Sequence, residues 1–184
     1  GKTYNYRIDV TDENDNPALE GLGRVGTTFE FGGFAATTFL ERYSVRFKVR
    51  HGLKTGHRGT IVDANATALL FRWGPVSTSV SAQAAWVGNR YADAYFSVTP
   101  AQSLASGLPI YDSNAGFRDV GGSFNAYINI RKHWSLNPYV SYRNILGGFA
   151  DTPIVALEGD RNQLSVGVNL MREFQFGRGK RTPL

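Results

Sequence analysis

Cationic side chains alternate with apolar ones in one short segment of the chain, and this spacing has a chemical consequence. Arg46, Lys48 and Arg50 occupy even positions of residues 43–50, while the odd positions are aromatic or aliphatic. A period of two is that of a β-strand, whose successive side chains point to opposite faces. The three cations therefore share a face, where they can attract anions or form ion pairs with a carboxylate such as Asp63.

Three other motifs are associated with catalysis or metal binding, and each lacks the context that this chemistry needs. His51, His57 and His133 have no well-spaced further partner for a metal ion, so we expect them to be surface polar residues. Residues 21–26 read G-x-G-x-x-G, but a strand follows where a dinucleotide site needs a helix. Residues 12–17 begin a calcium-loop pattern, but a proline stands where the turn needs glycine. We therefore expect no enzyme, no catalytic residue, no metal and no cofactor.

Eight segments carry the alternation that a β-strand imposes. Their bounds are residues 3–10, 24–39, 43–50, 60–73, 76–86, 123–130, 134–146 and 163–170. The second contains the pair Gly32 and Gly33, which predicts a bulge or bend, and the seventh contains Pro138, which predicts an edge or irregular position. A helix does not produce this segregation of polar from apolar side chains, so the sequence predicts a sheet of about eight strands.

Short and long connections alternate between these strands. The short ones, residues 40–42, 74–75 and 132–133, leave room only for hairpin turns. The long ones are rich in Gly, Pro, Asp and Asn and comprise residues 11–21, 52–59, 90–118 and 147–160. All tight turns therefore fall at one end of the sheet and all long loops at the other. Outer-membrane barrels have this asymmetry, with the short turns and both termini on the periplasmic side.

The two faces predict an all-β, antiparallel up-and-down transmembrane β-barrel. A soluble ligand-binding barrel or sandwich with the same apolar content of 42% would turn its charged face outward. Here one face carries hydroxyl, amide and cationic groups that suit a wet lumen, and the other suits lipid. The lumen-facing candidates are Arg46, Lys48, Arg50, Asp63, Asn125 and Arg143. Because side chains usually fill small barrels, we expect a closed or narrow barrel and not an open pore.

Aromatic residues near the predicted strand ends fit the same interpretation. Tryptophan and tyrosine are enriched where a membrane-spanning segment crosses the interface between lipid and water. The expected girdle residues are Tyr43, Trp73, Trp86, Trp134, Tyr142, Phe174 and Phe176.

Composition limits the other classes of protein. The 184 residues fit one domain, predicted at residues 1–176, with a basic tail at residues 177–184. The chain has no cysteine, which excludes disulfides and thiolate metal sites. The net charge of +5 comes from basic residues spread singly along the strands and the tail, so nucleic acid is not an expected partner. No apolar run approaches the roughly 20 residues of a transmembrane helix.

The loop at residues 90–118 is the best candidate for a functional surface, because loops of this length are usually functional or disordered. Its aromatic residues and prolines can fold over the barrel mouth as a plug or can bind a partner, and the sequence leaves both open. The candidate residues are Tyr95, Phe96, Thr99, Pro100 and Tyr111.

A series of motifs runs through the chain in a recognisable order. They are DNPALEGLG at residues 15–23, FGGFA at 31–35, YFSVTPAQ at 95–102, SGLPIY at 106–111, FRDVG at 117–121, WSL at 134–136, DTPIV at 151–155 and GDRNQ at 159–163. In order and content they resemble the MltA-interacting protein/OmpV (MipA/OmpV) family. The resemblance covers residues 12–174, and the segment around Thr99 and Pro100 is its most specific part.

The resemblance implies an outer-membrane β-barrel of Gram-negative bacteria with a structural, scaffolding or interaction role. The founding member is described as a scaffold that links a lytic transglycosylase to a peptidoglycan synthase, so these enzymes are expected partners beside outer-membrane lipid and lipopolysaccharide. The family has no catalytic residues. It also implies a removed or missing signal peptide and leaves open that the eight strands form the C-terminal part of a larger barrel. The alternative function is a narrow channel or small-solute transporter that favours anions through its cationic lumen.

Overall fold

Eight strands form one antiparallel sheet whose order in space follows the order along the chain. The computed structural model describes residues 2–3, 21–23, 25–53, 56–131 and 133–174. The strands are β1 (Lys2–Thr3), β2 (Thr28–Phe39), β3 (Tyr43–Leu53), β4 (Thr60–Trp73), β5 (Val76–Val87), β6 (Gly116–Arg131), β7 (Trp134–Ile145) and β8 (Asn162–Arg172). The predicted all-β, up-and-down architecture is confirmed. Within the described ranges β1 pairs only with β2 and β8 only with β7, so these strands do not close into a ring.

The tight turns lie at one end of the sheet, as predicted. Residues 40–42 join β2 to β3, residues 74–75 join β4 to β5, and residues 132–133 join β6 to β7. Leu40 and Glu41 reverse the chain with φ angles of 53° and 50°, in the left-handed region. We call the end of the sheet that carries these hairpins the turn end, and the opposite end the loop end.

In the described residues, four short helices lie at the loop end, in the connection between β5 and β6 and in that between β7 and β8. They are α1 (Asn89–Phe96), α2 (Pro100–Ser106), α3 (Gly147–Asp151) and α4 (Pro153–Ala156). The interpretation of residues 90–118 and 147–160 as loops was therefore wrong. Helices this short complete too few turns to display an apolar period in the sequence. None of the described helices has the length and apolar character needed to cross a membrane.

The cross-strand register sorts the side chains into two faces, because directly paired residues project to the same side of a sheet. On one face, which we call the apolar face, Val45 pairs with Ala66 and Val140 pairs with Val166. On the other, the polar face, most pairs include a hydroxyl, amide or charged residue, such as Ser44 with Thr67 and Ser81 with Ser123. Large residues of the apolar face are exposed, among them Phe31, Phe47, Val49, Val80, Phe124, Val140, Tyr142, Leu164, Val166, Val168 and Leu170.

The irregular positions differ from those expected. Pairing between β2 and β3 runs without a shift through Gly32 and Gly33, so the predicted bulge there is wrong. A Cβ atom at Gly32 would overlap the carbonyl oxygen of Val49, so this glycine permits close approach of the two backbones. Pro138 pairs with Val168 of β8, while the ladder between β6 and β7 skips it, as expected for a residue without an N–H.

Several expected boundaries also move. β2 begins at residue 28 and not at 24, and β6 begins at residue 116, inside the segment interpreted as a loop. The predicted strand at residues 3–10 is described only at its first residue. The calcium-like motif, most of the loop at residues 11–21 and the tail at residues 177–184 lie outside the described residues.

Candidate functional site

The six residues predicted to face the lumen all lie on the polar face. Across the sheet, Arg46 pairs with Asn65, Lys48 with Asp63, and Gly121 with Arg143. The six do not form one site. Arg50 and Asp63 belong to a first charged group, Arg143 belongs to a second, Arg46 and Lys48 are exposed cations, and Asn125 bonds only to Ser123, at 3.0 Å, among the described side chains.

Arg50 is the centre of the first charged group and joins three strands. Its Nη1 donates to Glu30 Oε2 at 2.8 Å, and its Nη2 donates to Asp63 Oδ2 at 2.9 Å. Both carboxylates lie two residues along from the direct partners of Arg50, so the register delivers them to it diagonally. The Glu30 side chain is nearly buried, and an unpaired carboxylate there would be strongly destabilising, so the guanidinium supplies the charge it needs.

His57, from the connection between β3 and β4, extends the first charged group. Its Nε2 lies 3.2 Å from Glu30 Oε1, and the backbone N–H of Gly59 donates to its Nδ1 at 3.0 Å. Because Nδ1 accepts a hydrogen bond, the ring carries its proton on Nε2 and donates it to Glu30. Burial lowers the pKa of His57 below its ordinary value near 6.5, although Glu30 opposes that effect, so the ring is neutral at pH 7.

The expectation that the histidines are surface polar residues is wrong for His57, which is only 2% exposed. Two tyrosine rings of α1 cover it, with ring centres at 5.1 Å for Tyr91 and 5.9 Å for Tyr95. This burial depends on a helix that the sequence did not indicate. His51 is exposed and bonds to Thr60 at 2.9 Å, while His133 is partly buried.

Arg118 and Asp119 of β6 form the second charged group, together with Arg143 of β7. Arg118 Nε donates to Asp119 Oδ2 at 2.5 Å, and Arg143 Nε lies 3.4 Å from Asp119 Oδ1. Arg118 Nη1 also donates to the hydroxyl of Tyr91 at 2.9 Å. The same tyrosine ring contacts His57, so α1 connects the two charged groups.

Sequence reasoning missed Arg118 and Asp119 as site residues because it placed them at the boundary of a loop. A signal was present, since the alternation continues backward from Asn125 through Ser123 and Gly121 to Asp119. The glycine weakens that signal, because it belongs equally to a strand or a turn.

An apolar cluster closes the loop end of the polar face. Ile61, Val87 and Ile145, at the loop ends of β4, β5 and β7, pack against α1, α3 and α4. The helices contribute Ala92, Phe149, Ala150 and Val155, with Tyr91 and Phe96 at the margin. We call α1, α3 and α4 in this position the loop plug. The polar face is thus open toward the turn end and covered by packed side chains at the loop end.

The candidates in the long connection divide between the loop plug and the start of α2. The Phe96 ring meets Phe149 edge to face at 5.0 Å, and Tyr95 lies over His57. Thr99 caps α2, since its hydroxyl accepts from the N–H of Gln102 at 3.3 Å and the Gln102 side chain accepts in return. Pro100 occupies the first turn of that helix, where its missing N–H has no consequence.

Tyr111 ties the connection between β5 and β6 to that between β7 and β8. Its hydroxyl donates to the carbonyl of Gly148 at 2.6 Å, and its backbone pairs with Val98 in both directions. Burial raises the pKa of Tyr111, and the charge of Asp151 adds to the effect, so the hydroxyl stays a donor at neutral pH. Thr152 makes a parallel link by donating to the carbonyl of Phe96 at 2.6 Å.

Arg46 and Lys48 are exposed on the polar face between the first charged group and the turn end. The Arg46 guanidinium lies 5.6 Å from the centre of the Phe34 ring. Neither cation forms a salt bridge with a described residue. A cavity of about 560 Å³ beside Arg46 is lined by Thr38, Ser44, Asn65 and Thr67, among others. One cation with several hydroxyl groups suits a small polar or anionic solute.

Within the described ranges, no three His, Asp or Glu side chains are grouped so that they could hold a metal ion.

The model of the family described as MipA, MltA-interacting protein MipA, matches residues 2–174. No curated protein matches the chain. The matched residues include both charged groups and the loop plug, and they span nearly the whole sequence. The chain therefore belongs to the MltA-interacting protein MipA family.

Proposed function

We propose that this protein is an outer-membrane β-barrel of a Gram-negative bacterium with a structural and interaction role. The support for the membrane location is the apolar face. Its large side chains are exposed on strand after strand, and so extensive an apolar surface is unfavourable in water. Lipid acyl chains remove that penalty, while the antiparallel ladders satisfy the backbone groups.

The loop plug is the observation that favours an interaction protein over an open channel. Side chains of β4, β5 and β7 that would line the mouth are apolar and covered by α1, α3 and α4. In the two charged groups below them, opposite charges are paired through Arg50 and Asp119, and the net charge of −1 in the first group offsets the +1 of the second. Packed apolar side chains therefore cover this half of the polar face, which supports the plug role for the long connection.

The family name points to MltA, a lytic transglycosylase, as the class of partner. A peptidoglycan synthase is the second partner of the proposed scaffold. Both act in the periplasm, and in the proposed orientation the turn end faces it. The hairpin tip at Leu40 is 81% exposed there, whereas Leu104 of α2 is 90% exposed at the loop end. We place the transglycosylase contact at the turn end.

The two leucines give a matched test of this proposal. Detergent-solubilised protein would be immobilised, and binding of a purified MltA-type transglycosylase would be measured for wild type, Leu40→Asp and Leu104→Asp. We expect binding to weaken by an order of magnitude or more for Leu40→Asp and to stay unchanged for Leu104→Asp. If Leu104→Asp weakened binding and Leu40→Asp did not, the proposed orientation would be reversed. If the wild-type protein did not bind the transglycosylase, the proposed partner would be rejected.

The alternative function is a narrow, anion-favouring channel. The observations that favour it are the polar cavity beside Arg46 and the two exposed cations Arg46 and Lys48, neither of which forms a salt bridge with a described residue. Purified protein in planar lipid bilayers distinguishes the two functions. The interaction role predicts no stepwise conductance, and stepwise currents that carry chloride in preference to potassium would establish the channel.

A further inference from the structure

Three residues on neighbouring strands form a row across the apolar face at the turn end. Arg131 of β6 pairs with Trp134 of β7, and Trp134 pairs with Arg172 of β8. Trp134 shares its face with Leu136 and Val140, which alternate along the same strand. A register shift after Asn129 brings Arg131 opposite Trp134, so both arginines lie on the apolar face, on strands about 10 Å apart. We call these residues the Arg-Trp-Arg row.

Two aromatic rings hold the Arg172 side chain in place. Its guanidinium carbon lies 5.2 Å from the centre of the Trp134 ring and 4.7 Å from that of Phe174. Such stacking fixes the position of the cation but leaves its N–H donors available in the plane of the guanidinium. Arg172 thus lies against the ring of Trp134, the residue that Arg131 faces from the neighbouring strand on the other side.

Among the residues that the structure describes, the row forms no ion pair on its own face. Neither Arg131 nor Arg172 forms a salt bridge with a described residue, and Glu173, next in the chain, pairs with neither. Several other arginines of the protein are held by acceptors. Arg50 and Arg118 bind carboxylates, and Arg42 donates to the carbonyls of residues 69 and 70 at 2.8 and 2.7 Å.

These observations, taken with the proposed membrane location on which the inference rests, identify a ligand. We propose that the Arg-Trp-Arg row binds the phosphodiester of an anionic phospholipid in the leaflet at the turn end. Guanidinium groups match phosphate oxygens in charge and geometry, and tryptophan is favoured at the depth of the headgroups. Leu136, Val168 and Leu170 continue the apolar face directly beside the row, where acyl chains can lie.

The test compares the row with an arginine of the same end and the opposite face. Arg72 of β4 is exposed and pairs with Ser77 of the polar face, so Arg72→Ala removes a turn-end cation without touching the row. Phosphatidylglycerol would be titrated into detergent-solubilised full-length protein, and the bound fraction would be measured by native mass spectrometry. We expect the double variant Arg131→Ala/Arg172→Ala to bind about thirtyfold more weakly, and Arg72→Ala to bind like wild type.

Further variants and ligands distinguish failure of the lipid site from failure of the membrane location. Arg131→Lys/Arg172→Lys keeps both charges and is expected to retain most of the binding. Phosphatidylcholine and water-soluble glycerol phosphate should bind weakly, since the first carries a fixed cation and the second lacks acyl chains. Equal binding by wild type and the alanine double variant would overturn the lipid site, even if both proteins insert into vesicles. Protein that stays folded and dispersed without detergent would overturn the membrane location itself, a result distinct from failure of the site.

Discussion

Truncating Phe149 tests the loop plug most directly. The Phe149 side chain is 3% exposed, meets the Phe96 ring at 5.0 Å and packs among Ile61, Val87 and Ile145. Replacing a buried phenylalanine with alanine destabilises a packed site by about 3–5 kcal/mol. Because each 1.4 kcal/mol is a factor of ten, the equilibrium between docked and undocked plug should shift by roughly two to nearly four orders of magnitude.

Hydrogen exchange measures this equilibrium locally. The amides of Ala92 and Phe149 bond to the carbonyls of Gly88 and Leu146, at 3.0 and 3.1 Å, so their protection reports the docked helices. Phe149→Ala should remove most of that protection while the ladder between β6 and β7 keeps its own. Leu104→Ala, at an exposed leucine of α2, is the control and should change nothing. Unchanged protection in Phe149→Ala would refute the idea that the apolar cluster holds the plug.

Three further predictions concern the polar face and its connections. Arg50→Gln leaves two carboxylates without their cation and should lower the free energy of unfolding by about 3 kcal/mol, measured as a fall in the thermal midpoint. Gly32→Ala forces a Cβ atom against the β3 backbone and should destabilise by about 1–3 kcal/mol, whereas Gly33→Ala, with open space, should change stability by less than about 0.5 kcal/mol. The pKa of His57 is lowered in the folded protein, so the neutral ring stabilises the docked connection between β3 and β4 fully above about pH 6.5. This contribution is lost as the pH falls below that value. Hydrogen exchange at the Gly59 amide, corrected for its intrinsic pH dependence, should then rise.

Each of these has an outcome that contradicts it. An Arg50→Gln protein as stable as wild type would mean that the buried carboxylate of β2 does not depend on that ion pair. Equal effects of the two glycine substitutions would show that backbone proximity is not what selects glycine at position 32. For the histidine, His57→Gln cannot titrate, so an equally strong pH dependence in that variant would assign the effect to another group.

The strands were predictable because their signal is local and periodic. In β3 the alternation of cations with apolar residues fixes which side chains share a face, and pairing in an up-and-down sheet then follows from the short turns. The register of β7 against β8 can be found by matching the apolar positions of the two strands, for example Leu136 opposite Leu170. This is why the faces of Arg46, Lys48 and Asp63 could be assigned from the sequence.

The loop plug and the charged groups were not predictable by the same means. They depend on contacts between residues far apart in the chain, such as Tyr91 with Arg118 and His57 with Glu30. A periodic pattern carries no information about such contacts. The bulges were also misplaced, since the register shifts in the described strands fall near Leu69, Ala85 and Asn129, where no glycine marks them. Bulges adjust the ladder to packing on the two faces, which a glycine count does not measure.

Tyr91 has a mechanical consequence for the whole sheet. Its ring touches a histidine linked to β2 and β3, and its hydroxyl is held by an arginine of β6, so it works as a cross-brace between hairpins that are not neighbours. Ladder hydrogen bonds resist the sliding of adjacent strands, but they do little against splaying of the sheet at its rim. Because Tyr91 contacts residues linked to both hairpins, a force applied to the long connections is shared by the strands of both hairpins. The curvature of the loop end then depends on α1 as well as on the strands beneath it.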